Sequence, residues 1–298
     1  MIFIDPPYWP AHGTLFSHLI SDASLAELHA FAAAQGIAER AFDLDHYDVP
    51  KRRYQSLLAA GAVPISGKEL ARTLAGSGLR IKAKYRVKSV LTVLQMRWDA
   101  LLPGSPGLGR GLLARWNEPH RRYHDPRHLL AVLEALELLT ERAVPREVAL
   151  AAWFHDAVYN GSPHDEEDSA MLVQQLLGGV LGRGQLAEVA RLVRLTATHS
   201  PAPEDLAGQL LCDADLAILG SSPTNYSRYV ADVRREYAHV AEADFRRGRA
   251  AVVRQLLDLD PLFRTPRGQQ QWAAQARANL TAELDGLEPE AADPGQRP

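Results

Sequence analysis

A single cysteine, Cys212, among 298 residues leaves no internal disulfide possible, and a reducing, cytoplasmic setting is expected. Cys212 lies in an apolar run and reads as a small buried hydrophobe. No run approaches the roughly 18 apolar residues that a membrane span needs. The N-terminal Met1-Ile2-Phe3-Ile4-Asp5 has no basic region and meets a charge too early for a signal peptide, so no leader is expected. The net charge is only -3, without the one-sided balance of a chain devoted to nucleic acid or to a membrane surface, and neither is an expected partner. The one glycine-rich stretch, Gly107-Leu108-Gly109-Arg110-Gly111, follows no strand and lacks a P-loop Lys-Ser/Thr. It reads as a loop entering a helix. Chemistry is left to histidine and the carboxylates.

What is there is ordinary for a globular protein: 46% hydrophobic and 23% charged residues, enough for a sizeable core. The length suits two domains, at about 150 residues each. Residues 1–82 alternate strand-like and helix-like segments, which predicts a small α/β domain. Met1-Ile2-Phe3-Ile4 reads as a strand stopped by Pro6-Pro7. Ser24 with Glu27, and Ser66 with Glu69, are capping boxes whose helices close near Gly36 and Gly76. Asp48 and Pro50 read as the start of another helix, ended near Gly61. Val63-Pro64-Ile65 is a short apolar run, and Leu79-Arg80-Ile81 reads as a last strand. Histidines 12, 18, 29 and 46, with Asp5, Asp22, Asp45 and Asp48, are material for a site, although their spacings match no metal or catalytic pattern. The stretches Ile4-Asp5-Pro6-Pro7-Tyr8-Trp9-Pro10-Ala11-His12-Gly13, Ser17-His18-Leu19 and Asp45-His46-Tyr47-Asp48-Val49-Pro50 resemble a small bacterial family of unknown function. That resemblance brings no activity with it.

Residues 83–89 read as a connector. Its region is basic, through Lys82, Lys84, Arg86 and Lys88, and is expected to be a solvated hinge. Residues 90–287 carry only helical patterns, broken at Pro103, Pro119, Pro145, Pro163, Pro201, Pro223, Pro261 and Pro266, and predict an all-α domain. Residues 288–298 are rich in Pro, Glu, Gly and Asp and are expected to be a disordered tail.

Within the helical region a single stretch stands apart. Val148 to Phe154 is apolar all round, which predicts a buried helix, and His155 and Asp156 follow inside the same pattern. An ionised carboxylate in an apolar interior is costly unless paired or bound to a metal. Neighbours on a helix point about 100° apart, so both side chains can lean toward one point. Further polar residues sit in apolar surroundings: His124 and His128 four apart, His199 at a helix end, and Asp213 and Asp215 in Leu210-Leu211-Cys212-Asp213-Ala214-Asp215-Leu216. Taken singly, each is a core histidine bonded to a carbonyl, or a capping aspartate. Taken together they point to a shared metal site, with donors that suit Mn, Fe, Co, Ni or Zn, and Mg where oxygens dominate.

His128, then His155-Asp156, then Asp215 resemble the H…HD…D signature of the HD superfamily of metal-dependent phosphohydrolases. Arg122-Tyr123-His124, Ser169-Ala170, Thr196-Ala197-Thr198-His199, Arg235-Glu236-Tyr237, Gly248-Arg249 and Ala276-Arg277-Ala278-Asn279-Leu280 are similar to segments of one bacterial subfamily of it, although Asp125 stands where its members usually have Asn. The resemblance implies an all-α HD-type hydrolase domain over 90–287. It implies metal ligation by His128, His155, Asp156 and Asp215. The implied chemistry is attack of a metal-activated water on a phosphoester of a nucleotide or other small phosphorylated metabolite. Asp156 is implied to bridge to a second ion where one is bound, with His199 as the extra ligand. His124 is implied as the general acid, or as support for a ligand. Arg122, Arg127 and Glu166 are expected pocket residues. Arg235 and Arg249 read as solvated, with phosphate contact as the alternative. Two other functions stay open. One is an HD-fold di-iron oxygenase using the same ligands. The other is a binding module with a structural metal.

Overall fold

The computed structural model describes residues 1–11, 13–38, 41–43, 45–77, 79, 87–140 and 143–287. They fall into two compact units, Met1–Arg86 and Val87–Pro298.

In the first unit, β1 (Ile2–Ile4), β2 (Trp9–Ala11), β3 (Thr14–Ser21), β4 (Tyr47–Pro50) and β5 (Val63–Pro64) make one sheet. β3 is its spine, antiparallel to β1, β2 and β4, while β5 runs parallel to β1. The two-residue period of a strand sorts the side chains by face. Leu19, Tyr47 and Val49 point into a core closed by α1 (Leu25–Ala34) and α2 (Tyr54–Ala59). Ile20 points the other way, onto Leu70 and Leu74 of α3 (Gly67–Gly76). The Ser66–Glu69 capping box is complete, with backbone-to-side-chain bonds of 3.0 and 3.3 Å. At Ser24 only half of the box forms: Glu27 N–H donates to Ser24, but the Glu27 carboxylate turns to the amino group of Met1.

The helix read at Asp48 and Pro50 is instead strand β4. Tyr47 and Val49 are 2% and 1% exposed and drive it onto β3, so burial at alternate positions outweighs the capping pattern. The helix begins only after a 3₁₀ turn, Lys51–Arg53. The β2–β3 hairpin is a further element that the sequence did not announce. Gly13, at φ 74°, lies in its turn, between Ala11 and Thr14, which face each other. Leu79 is buried. The remainder of the Leu79–Ile81 strand, most of the connector and the tail at 288–298 lie outside the described residues.

The second unit is helical, with no strand among its described residues. Its helices are α4 (Val87–Leu101), α5 (Pro106–Trp116), α6 (Pro126–Leu139), α7 (Arg146–Phe154), α8 (Asp165–Leu177), α9 (Arg183–Leu195), α10 (Leu206–Asp215), α11 (Pro223–Glu236) and α12 (Glu242–Asp258). The chain closes with α13 (Pro266–Gly268), a π-helical turn (Gln269–Ala273) and α14 (Ala274–Leu287) in direct succession. α4 starts three residues before the hydrophobic pattern suggests. Among the described residues no helix is long and apolar enough to cross a membrane. α6, α7 and α10 pack on one another and α9 packs on α7 and α10, and the start of α6 meets the ends of α7 and α10 through His128, His155 and Asp215.

Trp98, Trp116 and Trp153 are fully buried beneath these helices. Trp98 and Trp153 meet edge to face at 5.1 Å, and Trp116 donates its indole N–H to the Trp153 carbonyl at 3.0 Å. Gly109, in the stretch that lacks P-loop chemistry, lets α5 approach Trp98 so closely that any Cβ there would overlap the indole. The indole is pinned by its bond to Ser105 O, 2.9 Å. Gly109→Ala is therefore expected to destabilise the helical unit by about 1–3 kcal/mol, from overpacking. Urea unfolding followed by tryptophan emission measures it, and an unchanged midpoint would show that Trp98 moves aside.

Candidate metal centre

Asp125 caps α6. Its carboxylate accepts from the N–H of Arg127 at 2.8 Å and of His128 at 3.4 Å, and Pro126 occupies the first helical position, where no donor is needed. His128, on this first turn, is left buried, 5% exposed.

α7 is buried along its whole apolar stretch and stops at Phe154, so His155 is its C-cap. Here the structure departs from the helical reading of His155-Asp156. The chain leaves the helix because its next backbone groups are bound elsewhere. Arg121 donates to the carbonyls of Asp156 (2.7 Å) and Ala157 (3.4 Å). Ser169 Oγ accepts from Val158 N–H at 3.0 Å. Asp165 accepts from Asn160 and Ser162 N–H at 2.8 and 3.0 Å. In the resulting turn both side chains meet, with His155 Nε2 3.2 Å from Asp156 Oδ2. His155 Nδ1 faces the Ala152 carbonyl at 2.9 Å. A carbonyl can only accept, so Nδ1 carries hydrogen and Nε2 is left as a donor atom for a metal.

α10 delivers the third segment. Asp215, its last residue, lies 3.1 Å from His128 Nε2 and 3.4 Å from His155 Nε2 through Oδ1. Its Oδ2 lies 2.8 Å from His199 Nε2. His199 ends the turn after α9 at φ 50°, and it is the one non-glycine residue with positive φ among the described residues. Such a backbone costs on the order of 1–3 kcal/mol, and the strain falls on a ring that faces the cluster. Asp213, two residues before Asp215, serves the fold instead. It accepts from Arg264 and Thr265 N–H, both at 2.7 Å, and from the Thr265 hydroxyl at 2.6 Å.

Four donor atoms thus come together: the Nε2 of His128 and His155, which are 3.2 Å apart, Oδ2 of Asp156 and Oδ1 of Asp215. His128, His155 and Asp156 each place one donor atom within 4.8 Å of the others, and Asp215 joins them from the side of the two imidazoles, 3.1 and 3.4 Å from their Nε2 atoms. The electrostatics agree. Burial pushes both carboxyls up, but the adjoining His155 and the other imidazoles outweigh it and hold Asp156 and Asp215 well below the ordinary carboxylate range. Burial disfavours the His155 cation, and the two carboxylates override that too, holding it well above the ordinary histidine range. The carboxylates demand positive charge at this point.

A cavity of about 590 Å³ opens over Asp156 and Asp215. His124, Glu166 and His199 also line it, together with the apolar Val240, Phe245, Val252 and Leu256. Burial, then repulsion from Asp156 and Asp165, raises the Glu166 carboxyl. Arg122 and Arg127 are not among the lining residues, contrary to the sequence reading. Arg122 donates to the carbonyls of Pro119 and Arg121. Arg127 is held by Asp125 and by the Arg122 carbonyl. Both build the turn before α6, which Asp125 organises. Arg249, read as solvated, is instead 8% exposed; it lines the cavity and is paired with Glu283 at 2.7 Å. Arg235 does not line the cavity; it is paired with Asp232 at 3.3 Å.

Two residues emerge that the sequence reading gave no role. Glu236 accepts the successive N–H groups of Arg122, Tyr123 and His124 on Oε1 (2.8, 3.0 and 2.9 Å) and faces His124 Nδ1 with Oε2 at 2.7 Å. Burial opposes its charge, but the hydrogen bond from His124 and the backbone donors bring its pKa down to about 2. His124 is pushed down by burial and up, on balance, by Glu236 and Asp156. Its ring stacks on Tyr159 at 4.3 Å. Arg121, with its guanidinium between the rings of Trp116 and Tyr159, ties the His124 carbonyl to the carbonyl of Asp156. Their signal was present in two motif segments, beside Arg122-Tyr123-His124 and inside Arg235-Glu236-Tyr237.

A family model described as "Protein of unknown function (DUF4031)" matches residues 2–77, within the first unit, and agrees with a small N-terminal α/β domain of unknown function. No curated protein and no solved structure matches the chain.

Proposed function

We propose that the helical unit is a metal-dependent phosphohydrolase of the HD superfamily, acting on a phosphoester of a nucleotide or another small phosphorylated metabolite. The observation that carries this reading is the meeting of His128, His155, Asp156 and Asp215 from three separate segments, at neighbouring distances of 3.1–3.7 Å, under one cavity. Mn, Fe, Co, Ni, Zn or Mg suits these donors; His199 lies beside the second oxygen of Asp215, so Asp215, and not Asp156 as the resemblance implies, would be the carboxylate shared with another ion. A divalent ion there supplies positive charge to the phosphoryl oxygens and lowers the pKa of the attacking water.

The chain's own residues divide the remaining work. Asp156, Glu166, Asp215 and Asp244 line the cavity beside a single guanidinium, that of Arg249, so a bound cation would add the positive charge that favours a phosphate there. His124, held by Glu236 through Nδ1, presents its other nitrogen to protonate the leaving oxygen. The apolar lining of Val240, Phe245, Val252 and Leu256 takes the organic portion of the ester. His124→Gln is expected to lower turnover about 10²–10⁴-fold with metal content unchanged, which separates a proton donor from a ligand. Metal content falling together with the rate would assign His124 to the ligand shell instead.

The test is a panel of phosphomonoesters, nucleotides and cyclic dinucleotides, assayed with each metal and again after chelation. Hydrolysis that disappears on chelation is expected. No hydrolysis with any metal, or oxygen uptake by the iron-loaded chain without hydrolysis, would overturn the reading, the second result in favour of a di-iron oxygenase.

A further inference from the structure

In the first unit, β3 and β4 bring together residues that are far apart in the sequence. His18 on β3 stands directly opposite Asp48 on β4, and Asp5, just after β1, bonds its N–H to the His18 carbonyl on the other side. Asp5, His18 and Asp48 therefore form a row across three strands, on the face that carries Ile20 and α3. His46, two residues before Asp48, joins the row, with the His18 and His46 rings 4.8 Å apart. His29 stays out of it, bonded to the Tyr47 hydroxyl, and Asp22 is taken by the Met1 amino group. His12 lies outside the described residues.

The two imidazoles are held alike. Asp5 is 3.0 Å from His18 Nδ1, and Asp45 is 2.6 Å from His46 Nδ1. Both anchoring carboxylates are buried, at 1% and 2% exposure, and Asp5 is fixed further by the Trp9 indole N–H at 3.1 Å. A carboxylate on Nδ1 fixes the ring and leaves Nε2 as the free donor atom, the arrangement found behind metal-bound histidines. Both Nε2 atoms face one oxygen, Oδ1 of Asp48, at 3.7 and 3.4 Å. These distances exceed the 2.7–3.2 Å of a good hydrogen bond and suit ligands around one ion. One donor atom from each of the three residues lies within 4.8 Å of the others.

We propose that His18, His46 and Asp48 form a divalent transition-metal site of the first unit, separate from the cluster in the helical unit. Two imidazoles and one carboxylate select Zn, Fe, Co, Ni or Mn over Mg and Ca. Three protein ligands leave coordination positions open, as in sites that handle a substrate rather than sites that only brace a fold. His46 is buried while His18 and Asp48 are 24% and 47% exposed, so the ion is reached from the His18–Asp48 side. The Trp9 ring, 53% exposed and 5.1 Å from the His18 ring, forms an apolar rim there.

The full-length chain, stripped with a chelator and titrated with Zn²⁺ and Co²⁺, tests this by metal count and by the visible absorption of bound Co²⁺. His46→Ala and Asp48→Ala are each expected to bind one equivalent fewer than the wild type and to lose some of the Co²⁺ spectrum. Asp5→Asn is expected to keep the count and to bind that equivalent about 10–100-fold more weakly. The difference in count does not depend on how many ions the helical unit takes. An Asp48→Ala chain that is folded by circular dichroism and retains the wild-type count would overturn the site. Asp48 is half exposed, so this variant decides the matter even where His46→Ala fails to fold.

Discussion

Asp156→Asn is expected to lower metal-dependent turnover by about 10³-fold or more while the helical unit stays folded. Asp156 and Asp215 are the two carboxylates that meet His128 and His155, so the substitution removes half of the anionic charge offered to an ion. A metal contributes several kcal/mol of charge stabilisation to phosphoryl transfer. At about 1.4 kcal/mol per decade, losing most of that gives the stated drop. Asparagine keeps the shape of the side chain, and the Asp156 carbonyl keeps its bond from Arg121. Initial rates at saturating Mn²⁺ give the first readout. The rise in melting temperature on adding metal gives the second, since a ligand stabilises the folded state only in proportion to its binding. That rise should shrink in the variant. Equal turnover by the two proteins would remove Asp156 from the chemistry, and the hydrolase reading with it.

Much of this site was legible in the chain because its signals are local. The apolar run before His155 announces burial, and two polar residues placed after it demand a partner. Asp215 carries the same signal in its apolar setting. What stayed hidden depends on distant partners. The end of α7 is set by Arg121, 35 residues before Asp156, which takes carbonyls that a longer helix would have used. Glu236 reaches His124 across 112 positions, and no periodicity marks such a pairing. In the first unit the error had the same origin. Asp48 followed by Pro50 is a sound local helix start, yet the burial of Tyr47 and Val49 against β3 overrode it. Because the strand was missed, so was the opposition of His18 and Asp48, and the four histidines had no visible geometry. Arg122 and Arg127 were misread for a related reason. Their place beside His124 and His128 in the chain suggests the pocket, but carbonyl groups and Asp125 claim them.

Glu236→Gln is expected to destabilise the helical unit by about 3 kcal/mol at pH 7, with a deficit that fades in acid. Glutamine still offers an oxygen to the three N–H groups of Arg122, Tyr123 and His124, so the loss is mainly that of a charge facing His124. The folded pKa of Glu236 is about 2, against an ordinary value of 4.5. A depressed carboxyl stabilises the fold fully above its unfolded pKa, and this contribution is lost as pH falls through the folded one. The wild-type advantage should therefore be steady near neutrality, shrink from about pH 4.5 downward and be nearly gone by pH 2. Its upper edge is set by His124, whose raised pKa keeps the imidazolium partner in place to higher pH than an ordinary histidine. Urea midpoints in the presence of a chelator, followed by the emission of the Trp98, Trp116 and Trp153 cluster, measure the difference at pH 7, 5 and 3.5. A shift of roughly 1–2 M at pH 7 is the expected size. A gap of the same size at pH 3.5 would show that shape and hydrogen bonding, rather than charge, are what Glu236 contributes. In that case it could not be the residue that keeps His124 protonated for the leaving group.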